Sequence, residues 1–273
     1  SMWKDTTLIH VFSAGNAGTE TPAAGKYAGL KGWANLTGSF KMSKNSLAIA
    51  ALDSFYQPEL RSSRGPANDG RIKPELAAYG EDGTSGAAAL VSGTIALLQQ
   101  KGRELLNGNM PSAALIKALL ISGSDNVGEE GPDFVTGYGI LNTARSLQIL
   151  AEKKFVNLSI IPGQQHTVEI MVPDDQSLLS IALAWTDSAA SPAATTMLVN
   201  DLDMQVIAPD GSIILPWVLS TFPASDSLRR LPVRAADTLN VVESISWKMP
   251  AAGKYLIQVN ARRLQSKAQS FAV

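Results

Sequence analysis

The chain has 273 residues, 45% of them hydrophobic and 17% charged, with a net charge of −1. That is enough apolar material for one large domain or two ordinary ones, and the near-neutral balance argues against nucleic acid or an anionic membrane as a partner. Cysteine is absent, which removes disulfides, thiol catalysis and zinc–thiolate sites together; the apolar runs stop well short of a membrane span, and no signal-peptide pattern is visible.

Residues 8–12 (LIHVF) read as a buried strand ending in the turn Ser13-Ala14-Gly15-Asn16. Residues 46–52 (SLAIAAL) read as a second buried strand. Residues 62–74 hold two turn-rich stretches, SSRGP and DGRIKP. Helical patterns follow over 86–100 and 111–121, with Pro111 at a natural first-turn position, and Asn142 is placed to cap a third helix through about Ala151. Strands alternating with helices predict an α/β layer with a parallel sheet. Beyond Lys153-Lys154 the texture changes to period-two alternation over 156–160, 167–172, 179–185, 202–207 and 255–259, punctuated by Pro-Gly, Pro-Asp-Gly and Ala-Gly turns. This predicts an all-β sandwich or barrel of about eight strands. The expected organisation is thus 1–153 as α/β and 154–273 as all-β.

The stretch Gly83-Thr84-Ser85-Gly86-Ala87-Ala88-Ala89 puts a serine at the mouth of a helix whose first turns carry almost no side chains. A helix N-terminus presents unpaired N–H groups and a partial positive charge, which favour negative charge on or beside the serine oxygen. Thr84 or Ser85 also reads as a simple helix cap, and Asn16 as a left-handed turn residue. Yet Asn16 stands at the C-terminal end of a predicted strand, the edge where open α/β sheets place their ligands.

Taken in order, Ser13 to Gly18, Ser62 to Pro74, Gly83 to Ala89 and Gly137 to Asn142 resemble the motifs of the subtilisin-like serine proteases, the subtilases. The resemblance implies a partial subtilisin-like α/β catalytic domain. It makes Ser85 the nucleophile and Asn16 a side-chain donor to the oxyanion beside the Ser85 backbone N–H. It makes Ser13, Ala14 and Gly15 a wall of the substrate pocket. In this family the triad runs Asp, His, Ser along the chain, and only fifteen residues precede Asn16. The two histidines do not match: His10 reads as strand packing and His166 as a surface strand residue, while Asp5 lies too near the start for the family's aspartate. Gly86 and Ala89 replace the usual Met and Pro, and the segment 77–82 is shorter than the family's strand and substrate-side loop.

The second half is similar to the β-barrel appended to some bacterial alkaline subtilases, through Ala184-Trp185-Thr186-Asp187 and Leu198-Val199-Asn200-Asp201-Leu202-Asp203. That likeness implies a jelly-roll-like sandwich and a structural calcium ion, with Asp187, Asp201 and Asp203 as candidate ligands; a turn at Asn200-Asp201 and a strand start at Asp203 are the plainer reading. The expectation is a serine endopeptidase acting on protein or peptide substrates through an acyl-enzyme, outside the cell or in a bacterial envelope. The triad Asp and His would come from an N-terminal segment completing the sheet. The alternative is a non-catalytic pseudoprotease or adhesion protein with a subtilase remnant.

Overall fold

The computed structural model describes residues 6–128, 130–192, 194 and 196–273. Strands β1 (Val11–Ser13), β2 (Leu47–Leu52) and β3 (Leu76–Tyr79) form a parallel sheet in the order β1-β2-β3. All six residues of β2 are buried, as its unbroken apolar run demands of a strand covered on both faces. Strand β1 is only half-buried along its length and occupies the edge. It begins at Val11 rather than Leu8, and Leu8 is half exposed. The short 77–82 segment takes part in a strand, β3, in which Leu76 pairs with Ile49 and Tyr79 with Leu52.

Helix α1 (Thr84–Leu105) packs across all three strands. Helix α2 (Ala113–Ser122) starts behind Ser112, whose hydroxyl accepts the Leu115 N–H at 3.1 Å. Pro111 therefore stands outside the helix, where it would press on any side chain at Gly102. Helix α3 (Thr143–Ala151) is capped by Asn142, which accepts the Arg145 N–H at 2.9 Å, as its sequence signature predicts.

Thereafter come β4 (Asn157–Ile160), β5 (Gln165–Val172), β6 (Leu178–Trp185), β7 (Asp201–Ile207), β8 (Ile213–Ile214), β9 (Trp217–Val218), α4 (Ser225–Leu228), β10 (Val233–Arg234), β11 (Val242–Lys248), β12 (Gly253–Arg263) and β13 (Gln269–Ala272). Two four-stranded antiparallel sheets, β11-β6-β13-β4 and β5-β12-β7-β8, share a core that includes Trp185, Leu202, Ile245, Tyr255 and Phe271. The alternating exposure of β5 carries the period-two pattern.

Architecture changes between α3 and β4, but packing does not. Ala182, Ala184, Leu219, Leu228, Val242 and Ala272 belong to the same buried cluster as Leu47, Val91 and Leu119. Helix α2 lies against β6. Polar ties reinforce this seam: the Tyr27 hydroxyl donates to the Thr221 carbonyl at 3.1 Å, and the Ile72 N–H donates to Asn240 Oδ1 at 2.9 Å.

Candidate active site

The C-terminal ends of β1, β2 and β3 lie on one edge of the parallel sheet. From β1 the chain enters the turn that carries Asn16; from β3 it passes through the turn Gly80–Gly83, closed by the Gly83 N–H donating to the Gly80 carbonyl at 2.9 Å, straight into α1. Gly83 has φ of 74°, and a Cβ there would lie 2.9 Å from Asn16 Oδ1. Both conditions exclude other residues.

Neither Thr84 nor Ser85 is the helix cap. Gly83 occupies that position and offers no side chain to the orphan N–H groups. Asn16 reaches in instead: its Oδ1 accepts the Thr84 N–H at 3.1 Å and the Thr84 hydroxyl at 2.9 Å. The same hydroxyl accepts the Gly15 N–H at 3.1 Å. With Oδ1 held twice, the Nδ2 end of the amide is left without a partner among the described residues. Ser85 is exposed beside it, and its Oγ has no hydrogen-bond partner among them either. Asn16 Nδ2 and the first-turn Ser85 N–H are thus both unspent among the described residues, and the Ser85 hydroxyl is unencumbered. Donors fixed before the reaction are what an oxyanion requires, because their orientation costs nothing when charge develops.

Sequence reasoning missed the residues that hold this turn. Ser63 Oγ accepts the Ala17 N–H and Ser62 Oγ the Ala51 N–H, each at 3.0 Å. The paired serines therefore serve as braces, and Thr84 as the clasp. The signal available was the set of hydroxyls flanking the glycines of each turn, with no clue to their partners. Of the predicted wall, Ala14 is fully buried against Leu36 and Ala48. Gly15 is buried too, with φ of 114°, and a side chain there would run into Thr37. Of the three, Ser13 alone retains accessible surface.

Both histidines stand away from Ser85. His10 precedes β1, where its carbonyl accepts the Leu47 N–H at the opposite edge of the sheet, and its ring stacks on Phe12 at 6.5 Å. His166 lies on β5, with Nε2 3.0 Å from the Ser159 carbonyl and the ring 5.9 Å from Phe271. Asp5 falls outside the described residues. Nearby, α1 carries apolar residues on its outer side as well: Leu90 and Leu97 are about half exposed, and a Cβ at Gly93 would meet open space. Over residues 86–98 this helix is apolar on both sides, apart from Ser92 and Thr94, and a helix stretch of that kind belongs in an interior.

The aspartates predicted to hold calcium do not form one set. Both Asp187 oxygens are engaged, by the Lys44 ammonium at 2.6 Å and by the N–H groups of Ser188, Val199 and Asn200. Asp201 and Asp203 share Arg262 instead, at 3.8 and 3.4 Å. Burial, with Asp203 beside it, pushes Asp201 up to about 6. Burial also holds Glu243 well above the carboxylate range, while its Oε2 accepts the Met204 N–H at 2.6 Å. Among the described residues no three acidic or imidazole groups come together to hold a metal ion. The residues present do not fit the calcium site, because the first aspartate already has its cation.

The family model described as the subtilase family matches residues 1–139, just over half of the chain. The chain belongs to the subtilase family. A relative in Dictyostelium discoideum, the serine protease/ABC transporter B family protein tagA, is 26% identical over 274 residues, covering 81% of this subtilase chain and 15% of that protein. Solved structures similar to it include the patellamide maturation protease PatA, with 22% identity, 54% and 52% of the two chains covered and a TM-score of 0.40. Tripeptidyl peptidase 2 is similar over 98% of this chain and 32% of that one, with 14% identity and a TM-score of 0.38. The chain therefore spans about half or less of the proteins it resembles.

Proposed function

We propose that this chain supplies the nucleophile and oxyanion half of a serine endopeptidase site, acting on protein or peptide substrates. One observation carries the reading: Asn16 Oδ1 is pinned by both donors of Thr84, which frees its NH₂ beside Ser85. Ser85 Oγ would attack the peptide carbonyl, the oxyanion would receive hydrogen bonds from Asn16 Nδ2 and the Ser85 N–H, and a histidine would take the hydroxyl proton. That histidine and its aspartate would arrive on an N-terminal segment pairing with the open edge of β1 and covering the outer face of α1. Without them Ser85 lacks a base, and this chain alone would show little triad catalysis. In this reading the two antiparallel sheets form a jelly-roll-like sandwich, and the protein works outside the cell or in its envelope.

The position of both histidines also suits a non-catalytic protein that keeps a subtilase scaffold for binding. A fluorophosphonate probe separates the two readings. Applied to the longer protein that includes the upstream segment, it should label wild type and not Ser85→Ala. Labelling that persists in Ser85→Ala would remove Ser85 as nucleophile, and absence of labelling in wild type would favour the binding protein.

A further inference from the structure

Between the parallel-sheet unit and the antiparallel sheets lies a polar cavity of about 10 Å³, lined by Lys44, Arg71, Glu75, Lys117, Tyr138 and Asn240, among others. A cavity of that size holds one water-sized particle. The charges around it are unevenly matched. Lys44 pairs with Asp187, Arg71 with Asp69, and Lys73 with Glu75. Lys117, on α2 and 3% exposed, has no carboxylate partner among the described residues; its ammonium donates only to the Lys44 carbonyl, at 3.3 Å. The charges within its reach are one carboxylate, Glu75, and two further cations, Lys73 and Arg71.

Each acceptor on this wall already receives one donor. Glu75 receives the Lys73 ammonium on one oxygen and the Ala48 N–H, at 2.7 Å, on the other. Asn240 Oδ1 accepts the Ile72 N–H, and its amide donates to Asp237 at 2.7 Å. The Val242 carbonyl accepts the Tyr138 hydroxyl at 3.3 Å. The donors are not used up. Arg71 is 6% exposed; its Nε and Nη2 bind Asp69 and the Met42 carbonyl, each at 2.7 Å, while Nη1 is buried with no partner. Most of the Lys117 ammonium is unspent as well. An unpaired buried cation is costly, and so is each unsatisfied N–H.

We infer that this cavity binds a single monovalent anion of halide size, held by Arg71 Nη1 and the Lys117 ammonium at the junction of the two units. A water molecule could accept from these donors, but it brings no negative charge to set against the surplus cation. A halide accepts only, and it also supplies the missing negative charge. Asp69, Glu75, Asp187, Asp237 and Glu243 are the acidic groups nearby. The first three are paired with cations, Asp237 is hydrogen-bonded to Asn240 and Glu243 to the Met204 N–H, and none of them bonds Lys117.

The test uses crystals of the chain grown with sodium bromide near pH 6.5, together with melting curves in sodium bromide and sodium gluconate at equal ionic strength. An anomalous bromide peak between Arg71 and Lys117, and a melting temperature several degrees higher in bromide, are expected. Lys117→Met should lose the peak and melt alike in both salts. A cavity that contains water only, or equal melting of wild type in the two salts, would overturn the inference. Should Lys117→Met fail to fold, the wild-type anomalous map and salt comparison still decide the matter.

Discussion

Thr84 and Asn16, 68 positions apart, are locked by two hydrogen bonds onto one oxygen atom, Asn16 Oδ1. The lock aims the amide and joins the first turn of α1 to the turn after β1. Thr84→Val removes the hydroxyl, leaving the Gly15 N–H buried without its acceptor and Asn16 with one donor fewer. The expected cost is about 1–3 kcal/mol of stability, measured by urea unfolding, with Thr84→Ser close to wild type. Equal stability of Thr84→Val and wild type would show that the lock does not hold the turn.

Asn16→Ala should still fold but lose about 0.5–2 kcal/mol of stability, since it removes the acceptor of the Thr84 N–H and hydroxyl. In the complete peptidase it should lower kcat by about 10²–10³ with little change in KM, the usual consequence of losing one oxyanion donor. A change confined to KM would place Asn16 in substrate binding instead.

Stability should fall as pH rises from about 4 to about 6. The Asp201 carboxyl is pushed from 3.8 up to about 6 by burial and by Asp203. The native state therefore holds that proton through the window in which the unfolded chain has released it, and the full penalty remains above pH 6. Roughly 2–3 kcal/mol is involved. Asp201→Asn should flatten this part of the profile, as read from denaturant midpoints at pH 4.5 and 7.

At the alkaline end the sign reverses. Burial lowers Lys117 from 10.5 to about 8, so the unfolded chain binds more protons between those values and stability rises with pH across them. In gluconate buffer the rise should be on the order of 3 kcal/mol and vanish in Lys117→Met.

Gly93→Ala should stabilise the chain by about 0.5–1 kcal/mol, because the helix gains a better former and the new methyl meets open space. Gly93→Leu should also fold, yet it should impair the completed peptidase if an N-terminal segment covers this face. Unimpaired labelling of the longer Gly93→Leu protein at Ser85 would place that segment elsewhere.

Strand β2 was legible because an unbroken apolar run has few other uses, and α3 because Asn142 announces it. Strand β3 was not: Leu-Ala-Ala-Tyr carries little pattern, and its strand state comes from pairing with Ile49 to Leu52. Strand β11 was missed because Glu243 and Lys248 break its apolar reading, although Glu243 is buried where it receives the Met204 N–H. Ser85 and Asn16 stood out through local motifs. Their clasp through Thr84, and the Lys44–Asp187 pair that displaced the calcium reading, join residues far apart in sequence and leave no local trace.

The buried cluster that runs from Leu47 through Leu119 to Ala182 and Ala272 makes the chain one thermodynamic body with two architectures. Cutting it near Lys153 would strip the lid from α2 and release a sticky, partly molten half. Loosening at Leu219 or Val242 would likewise reach the serine as lost steadiness in the helix that carries it. The second half then behaves less as an appendage than as ballast, setting how still Ser85 is held.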